Sequence, residues 1–568
     1  MKKMKLRRPI NLRPLVCLLA LVVFAQLAAN AQTASSMLSQ FGDLQNLGDN
    51  SASWGRDPLN SRFNPFARIN RQNVNRLQLK WAFVFPDGVT SASSQPAVVG
   101  DTVYVGGWNA KVYALDRETG AIRWTYDTAA FTGSVAGGGT QLPIGFNAVR
   151  DAPAYSNGKL YFGDVIGNVY ALNAQTGAFL WARRIDSHFS ARIVGSPIVY
   201  RSRVFIGLSS VESGYPIDPT YPCCTFRGKL VALDANSGAE AWHYYTVEQA
   251  QPTGYNSFGT PQFGPAGAAV WSTPAIDPLT NTIYFGTGQN YTNPASSRSD
   301  SLIALDLNTG AEKWVRQIKP NDTWNLACNP ENIGLPPGSG PNCPTPNPND
   351  KDYDVQSPNI FFTVINNRLR KLVGVGQKSG IYHALDAETG AIVWQRQLSV
   401  GGTGGLGGIQ WGTSWDGERL YVATHDANPG TLFALNPANG QVIWSKPNPS
   451  NGCDGKPGRP QCRLALPAAT TTAPGVVFQG SWDGNLRAHD ARNGNILWQY
   501  DTYRPYYGVN GLIGQGGSIN GAGAVVVGDM VFVNSGYSAF GPGTSLAETS
   551  CWLSRSTEIN LTGSLFSC

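Results

Sequence analysis

The sequence predicts an all-β protein, an eight-bladed β-propeller assembled from tryptophan-docking repeats. Two observations carry that expectation. Seven copies of one Ala-x-Asp/Asn-x-x-x-Gly-x-x-x-Trp unit run through the chain, and an eighth tryptophan, Trp81, lies near its start without a unit of its own. Self-similarity at this period is the signature of a repeat architecture.

The copies read ALDRETGAIRW (114–124), ALNAQTGAFLW (171–181), ALDANSGAEAW (232–242), ALDLNTGAEKW (304–314), ALDAETGAIVW (384–394), ALNPANGQVIW (434–444) and AHDARNGNILW (488–498). In each, a strand ends at a small Ala and the Asp or Asn side chain bonds the turn backbone. Gly takes the positive-φ position, and a second strand delivers the Trp. A large ring at a fixed place in every unit docks one blade on the next. Successive repeat glycines (120, 177, 238, 310, 390, 440, 494) leave room for one four-stranded sheet and variable loops apiece. Trp81, in RLQLKWAF, reads as the terminal strand of an eighth blade completed by strands around 524–534. Such a closure leaves no open sheet edge.

Ahead of the repeats, six basic residues between Lys2 and Arg13, an apolar run over 15–25 and Ala29-Asn30-Ala31 form a signal-peptide pattern over 1–31. Residues 32–53 then read as a lead-in, 54–545 as the propeller and 546–568 as an aberrant tail. The leader predicts export to the periplasm, and no other stretch approaches the ~20 apolar residues of a membrane span. The chain has 43 Lys and Arg against 37 Asp and Glu, and all six residues of that excess lie in 1–31. The remainder is neutral, which argues against nucleic acid as a partner.

The longest insertions, at 208–228, 248–270, 320–358 and 445–466, are expected to crowd one mouth of the funnel. Gly402-Thr403-Gly404-Gly405-Leu406-Gly407 fits G-x-G-x-x-G but opens onto a strand-like Ile409-Gln410-Trp411, not the helix a nucleotide fingerprint needs. Cys328 with Cys343, and Cys453 with Cys462, bracket short Pro/Gly-rich loops and read as local staples worth about 2–3 kcal/mol each. The adjacent Cys223 and Cys224 either pair with each other or have separate fates.

Several blocks beyond the repeat are more specific. YPCCTFRGKLVALDANSGAEAW (221–242), GPAGAAVWSTPAID (264–277), DTWNLAC (322–328), GQKSGIYHALD (376–386), GGIQWG (407–412) and GVNGLIGQGGSINGAG (508–523) resemble the pyrroloquinoline quinone (PQQ) alcohol dehydrogenases, in particular their polyvinyl alcohol dehydrogenase branch. The resemblance implies a quinone held between a Trp and a vicinal disulfide, with Ca²⁺ on its carbonyls. Position by position it makes Glu212, ending VFIGLSSVE, a metal ligand, joined by Gln289 and Asn325. Trp271, 18 residues before Gln289, becomes the stacking Trp; Gln289 is a longer amide than the family's Asn, and Asn290 stands beside it. Cys223 and Cys224 become the vicinal disulfide, Arg150 and Lys378 the cationic contacts, and Ser209 and Gln410 polar contacts to the cofactor.

Three departures accompany it. The Cys pair follows Glu212 within one blade, and Val194 stands where a Thr commonly bonds the cofactor. The family's P-x-D-x-W-D segment reads Pro320-Asn321-Asp322-Thr323-Trp324-Asn325, so its base Asp is here Asn325. An amide has no basic site near neutral pH. Asp322, the nearest carboxylate, is the expected substitute.

The tail departs as well. Suitable codons for 547–557, read one frame over, spell GNVLLAFSVD, which resembles the family's last strand. The expectation is a frameshift near Leu546, a closing blade short of one strand, and Cys551 and Cys568 as accidents; the nucleotide sequence tests it. Functionally, the resemblance implies oxidation of a secondary or polymeric alcohol. With no C-x-x-C-H haem motif in the chain, a separate cytochrome c is expected to take the electrons. The alternative is a non-catalytic propeller of the outer-membrane assembly kind, acting as a binding module.

Overall fold

The structure, a computed structural model, describes residues 48–89, 91–132, 147–329, 338–344, 352–401, 407–425, 429–456, 462–536 and 550–556. The signal-peptide expectation and most of the 402–407 glycine motif lie outside those residues. Among the described residues no helix is long and apolar enough to cross a membrane.

The fold is an all-β propeller. Seven antiparallel sheets, six of four strands and one of five, are each formed from one continuous stretch: 97–127, 154–184, 191–245 (the fifth strand being Ala191–Arg192), 275–317, 359–397, 414–447 and 471–501. These are blades 1 to 7. The expected count of eight is thereby corrected to seven. The remaining four-stranded sheet has no Asx-Gly-Trp unit, because it is composite: Leu77–Val84 from the start of the chain joins Val525–Val527, Met530–Ser535 and Ser550–Ser556 from its end. The strand expected to be missing is present. Ser550–Ser556 lies between the other two, with Ala82 opposite Trp552 on one side and Val533 opposite Trp552 on the other.

The repeat makes its turn as its residues dictate. In blade 1, Asp116 Oδ1 accepts from the amides of Glu118 and Thr119 at 3.0 and 2.9 Å, which closes an Asx turn. Each repeat Trp sits on the outer strand and reaches the next blade. The Trp124 indole donates to Ala174 O at 3.0 Å, Trp181 to Ala235 O at 3.2 Å and Trp444 to Ala491 O at 3.0 Å. The ring also covers the next repeat's Gly: a Cβ on Gly177 (φ +72°) would stand 2.7 Å from the Trp124 ring. Gly is therefore required there both for its backbone and for its lack of a side chain.

The composite sheet uses the same joint. Trp81 donates to Arg117 O at 3.1 Å in blade 1, and Trp498 of blade 7 donates to Leu77 O at 3.0 Å. Apolar cores lie between neighbouring sheets, as where Tyr104, Val112 and Ala114 of blade 1 meet Leu160, Phe162 and Tyr170 of blade 2.

Candidate active site

Residues just before most of the inner strands converge on a narrow cleft with water-accessible space of about 20 Å³. Arg150, Asp151 and Ala152 precede Ala154–Ser156, and Val194, Gly195 and Ser196 precede Ile198–Tyr200. Trp271 and Thr273 precede Ala275–Asp277, and Trp411 precedes Ser414–Trp415. Trp271 and Trp411 meet edge to face, with centroids 5.2 Å apart and planes at 88°. The Arg150 guanidinium stands 5.7 Å from the Trp411 ring and Lys378 Nζ 5.5 Å from the Trp271 ring. The Trp271 indole N–H is buried without an acceptor, as is Gln410 Oε1 without a donor, whereas Trp411 donates to Asn520 at 2.9 Å. Asp151 accepts from Gly163 N at 2.7 Å, and burial holds its carboxyl well above the usual carboxylate range.

Behind Lys378 lies a cluster of acids. Its Nζ bonds Asp352 at 2.7 Å and Asp354 at 2.6 Å, and Asp354 also accepts from the Gln289 amide at 3.0 Å. Burial acts to lower the lysine pKa, but the two carboxylates outweigh it and raise it. Burial and the Asp354 charge push Asp352 up to about 7 against the pull of Lys378. Asp322 is pushed up to about 8, first by burial and then by Asp352 and Asp354. Its Oδ2 accepts from Tyr353 N at 3.3 Å and its Oδ1 has no partner. Asp300, fully buried, has no hydrogen bond to either oxygen, and burial with the charges of Asp322, Asp354 and Asp352 raises it well above the carboxylate range.

The remaining residues singled out in the sequence serve the loop layer. Cys223 and Cys224 form the vicinal disulfide; Cys328–Cys343 and Cys453–Cys462 are the local staples. The vicinal pair is wholly buried beside Phe226, Ala266 and Tyr291, and it does not belong to the lining of the cleft. Glu212 is fully buried, and both its oxygens are in use. Oε1 accepts from Tyr221 Oη and Thr225 N, each at 2.9 Å, and Oε2 from Phe226 N at 2.8 Å and Thr225 N at 3.2 Å. That carboxylate pins the turn that follows the disulfide. Asn325 caps the short helix Leu326–Cys328 through Ala327 N at 2.9 Å, and its Nδ2 donates to Tyr291 O and Asn342 O. Gln289 Nε2 reaches Trp324 O at 3.4 Å, and Asn290 is buried with no bond to its side chain. Ser209 pairs with Arg192 near the end of Arg203–Ser210.

The structure thus gathers Arg150, Trp271, Lys378 and Gln410 about the cleft and its wall, and keeps Glu212, Cys223 and Cys224 together in a neighbouring loop. These observations decide how far the implied groups fit. The Trp271 face, the Arg150 guanidinium and an uncommitted indole donor suit a planar, polyanionic quinone, whereas Lys378 is already bonded to two carboxylates. A cation does not fit the implied donor set. The lone pairs of Glu212 and the side chain of Asn325 are committed to protein donors and acceptors, and among the described residues no three His, Cys, Asp or Glu side chains are arranged to hold a metal. Reading the sequence alone missed Trp411, Asp151, Asp300, Asp352 and Asp354. The Asp-Tyr-Asp at 352–354, at the end of a long Pro/Asn-rich insertion and upstream of Lys378, was the available signal.

Residues 52–331 match the family model described as glucose/ethanol/alcohol dehydrogenase, beta-propeller domain, and residues 370–559 match the one described as outer membrane protein assembly factor BamB. The chain is 35% identical over 493 residues to a polyvinylalcohol dehydrogenase of Pseudomonas sp., covering 85% of this chain and 72% of that protein. It is 34% identical to the polyvinylalcohol dehydrogenase of Sphingopyxis sp. strain 113P3, over the same shares of the two chains. Among solved structures, the quinohemoprotein alcohol dehydrogenase of Comamonas testosteroni superposes with a TM-score of 0.63 at 20% identity, over 93% of this chain and 84% of that one. The quinohemoprotein alcohol dehydrogenase ADHIIG of Pseudomonas putida HK5 gives 0.64 at 18%, over the same shares. The chain belongs to the PQQ-dependent dehydrogenase family, with polyvinyl alcohol dehydrogenases among its homologues.

Proposed function

We propose that the protein is a periplasmic PQQ-dependent dehydrogenase that oxidises a secondary or polymeric alcohol and passes the electrons to a separate cytochrome c. The observation that carries this reading is the cleft lined by Trp271, Trp411 and Arg150, with Lys378 Nζ 5.5 Å from the Trp271 ring. Family membership supports an oxidoreductase acting on an alcohol. Bound there, PQQ would supply the two-electron acceptor, for the electron pair of the carbinol C–H bond, that side chains lack.

The chain's own residues do the rest. Trp271 offers the stacking face, and Arg150 offers a rigid cationic fork to carboxylate oxygens. Lys378, tethered by Asp352 and Asp354, holds a positive charge 5.5 Å from that face. Asp322 accepts the alcohol's hydroxyl proton at its free Oδ1 in place of the family's base, because Asn325 is a helix cap without basicity. Vicinal Cys223–Cys224 and the carboxylate of Glu212 stiffen the adjoining loop.

The test is reconstitution of the purified full chain with PQQ, followed by dye reduction with 2-alkanols and with polyvinyl alcohol. The reading predicts alcohol-dependent reduction that needs PQQ. A chain that binds no PQQ and reduces no dye would overturn it and leave the binding-module reading.

A further inference from the structure

The inner strand of every propeller blade is a sheet edge, and its inward amides need acceptors when the channel is dry. In this chain the acceptors come from the segment 51–64. The carbonyls of Ser51, Ala52, Pro58, Leu59, Ser61 and Arg62 each accept an amide from an inner strand, in blades 1, 2, 4, 5, 6 and 7 respectively. Each amide is that of the strand's second residue, as in Ala154–Ser156, where Tyr155 N reaches Ala52 O at 2.7 Å. The Asn64 amide group donates to Val526 O, at the second residue of the composite sheet's inner strand. One short segment therefore visits nearly the whole ring at a single level. It turns from blade to blade with Arg56, Asn60 and Arg62 all at positive φ (69°, 54° and 50°), a costly conformation for three non-glycine residues so close together. Asn60 alone donates to Thr273 O, Pro274 O and Pro358 O.

This level lies directly beneath the cleft, whose lining residues precede the same inner strands by a few positions. Trp54, 7% exposed, belongs to both. It lines the cleft, takes the Arg62 guanidinium at 4.5 Å from its ring, and packs with Ala152, Ala469 and Trp411. A Cβ on Gly412 would lie 2.4 Å from the Trp54 ring. Trp411 in turn meets Trp271 edge to face.

We propose that the segment 51–64 is a plug that closes the channel below the cleft, and that Trp54 is a positioning residue which, through Trp411, fixes Trp271 for the cofactor. The plug stands on hydrogen bonding alone, whereas the positioning role rests on the PQQ reading above. It follows that substrate reaches the cleft only from the mouth that carries the long insertions.

Amide exchange by mass spectrometry on the unloaded full chain tests the plug. The inner-strand amides of Tyr155, Ile276, Ile360 and Trp415 should exchange only with global unfolding, and exchange at the rate of free edge strands would overturn it. PQQ titration of Trp54→Ala and Trp54→Phe tests the positioning role. Trp54→Ala should speed exchange in 271–277 and 411–416 and raise the Kd for PQQ about tenfold or more, with Trp54→Phe restoring most of the affinity. Unchanged Kd and unchanged exchange in Trp54→Ala would overturn that role while leaving the PQQ reading intact. Absence of PQQ binding to the wild-type chain would instead sink the PQQ reading and the positioning role, and the plug would still stand or fall on exchange. If Trp54→Ala does not fold, Asn60→Ala carries the exchange test, and protection of 273–276 and 358–360 equal to wild type would count against the plug.

Discussion

On the proposed reading, Asp322 and Lys378, both buried, carry the proton and the positive charge that the chemistry needs beside Trp271. With its carboxyl pushed up to about 8, Asp322 is protonated at neutral pH and becomes a base only above it. In kcat/KM measured against pH, the alcohol-oxidation rate should climb about tenfold per unit below pH 8 and level off above it. Asp322→Asn should lower kcat at least about a hundredfold with the fold unchanged. The same raised pKa has a stability consequence. The folded state holds a proton that the unfolded chain has released above about pH 4, so this group's contribution is full below that pH and is lost as pH rises towards 8. Lys378→Met should cost about 3–5 kcal/mol in denaturant unfolding, because it leaves Asp352 and Asp354 buried without their counter-charge. Of these residues, Lys378 and Asp322 were legible through a motif. Asp300, Asp352 and Asp354 were not, since mutual burial of distant acids leaves no periodic trace.

At the scale of elements, the loops that carry the site are tied together by a few side chains. Asn342 Nδ2 donates to Pro216 O and Asp218 O, joining the loop closed by Cys328–Cys343 to the one that holds Glu212 and the vicinal pair. Replacing Cys328 and Cys343 together by Ser should lower stability by about 3 kcal/mol, read from urea unfolding, as expected for a loop of this separation. Both staples were visible in the sequence because their cysteines are near neighbours. The part played by Glu212 was not. A glutamate that ends a strand has the same spelling whether it holds a metal or the amides of Thr225 and Phe226, and only the folded loop distinguishes them.

Across the whole molecule, the seven blades were legible because turn, glycine and Trp are all local to one unit. The composite sheet was legible in outline, because Trp81 without a unit of its own called for strands from around 524–534; the plug was not, since its bonds carry no motif and reach as far as from Asn64 to Val526. Ring closure depends on the Trp81 joint. Trp81→Ala should destabilise the protein by about 3–5 kcal/mol, comparable to Trp181→Ala inside the repeat array, and thermal unfolding would compare the two. The central claim is that this propeller holds PQQ on Trp271, and its most direct test is a fluorescence-quenching titration of the full chain with PQQ beside Trp271→Ala. The account predicts one PQQ per chain, with affinity falling at least about tenfold in the variant. No saturable quenching in the wild-type chain, or equal affinity in both, would contradict it.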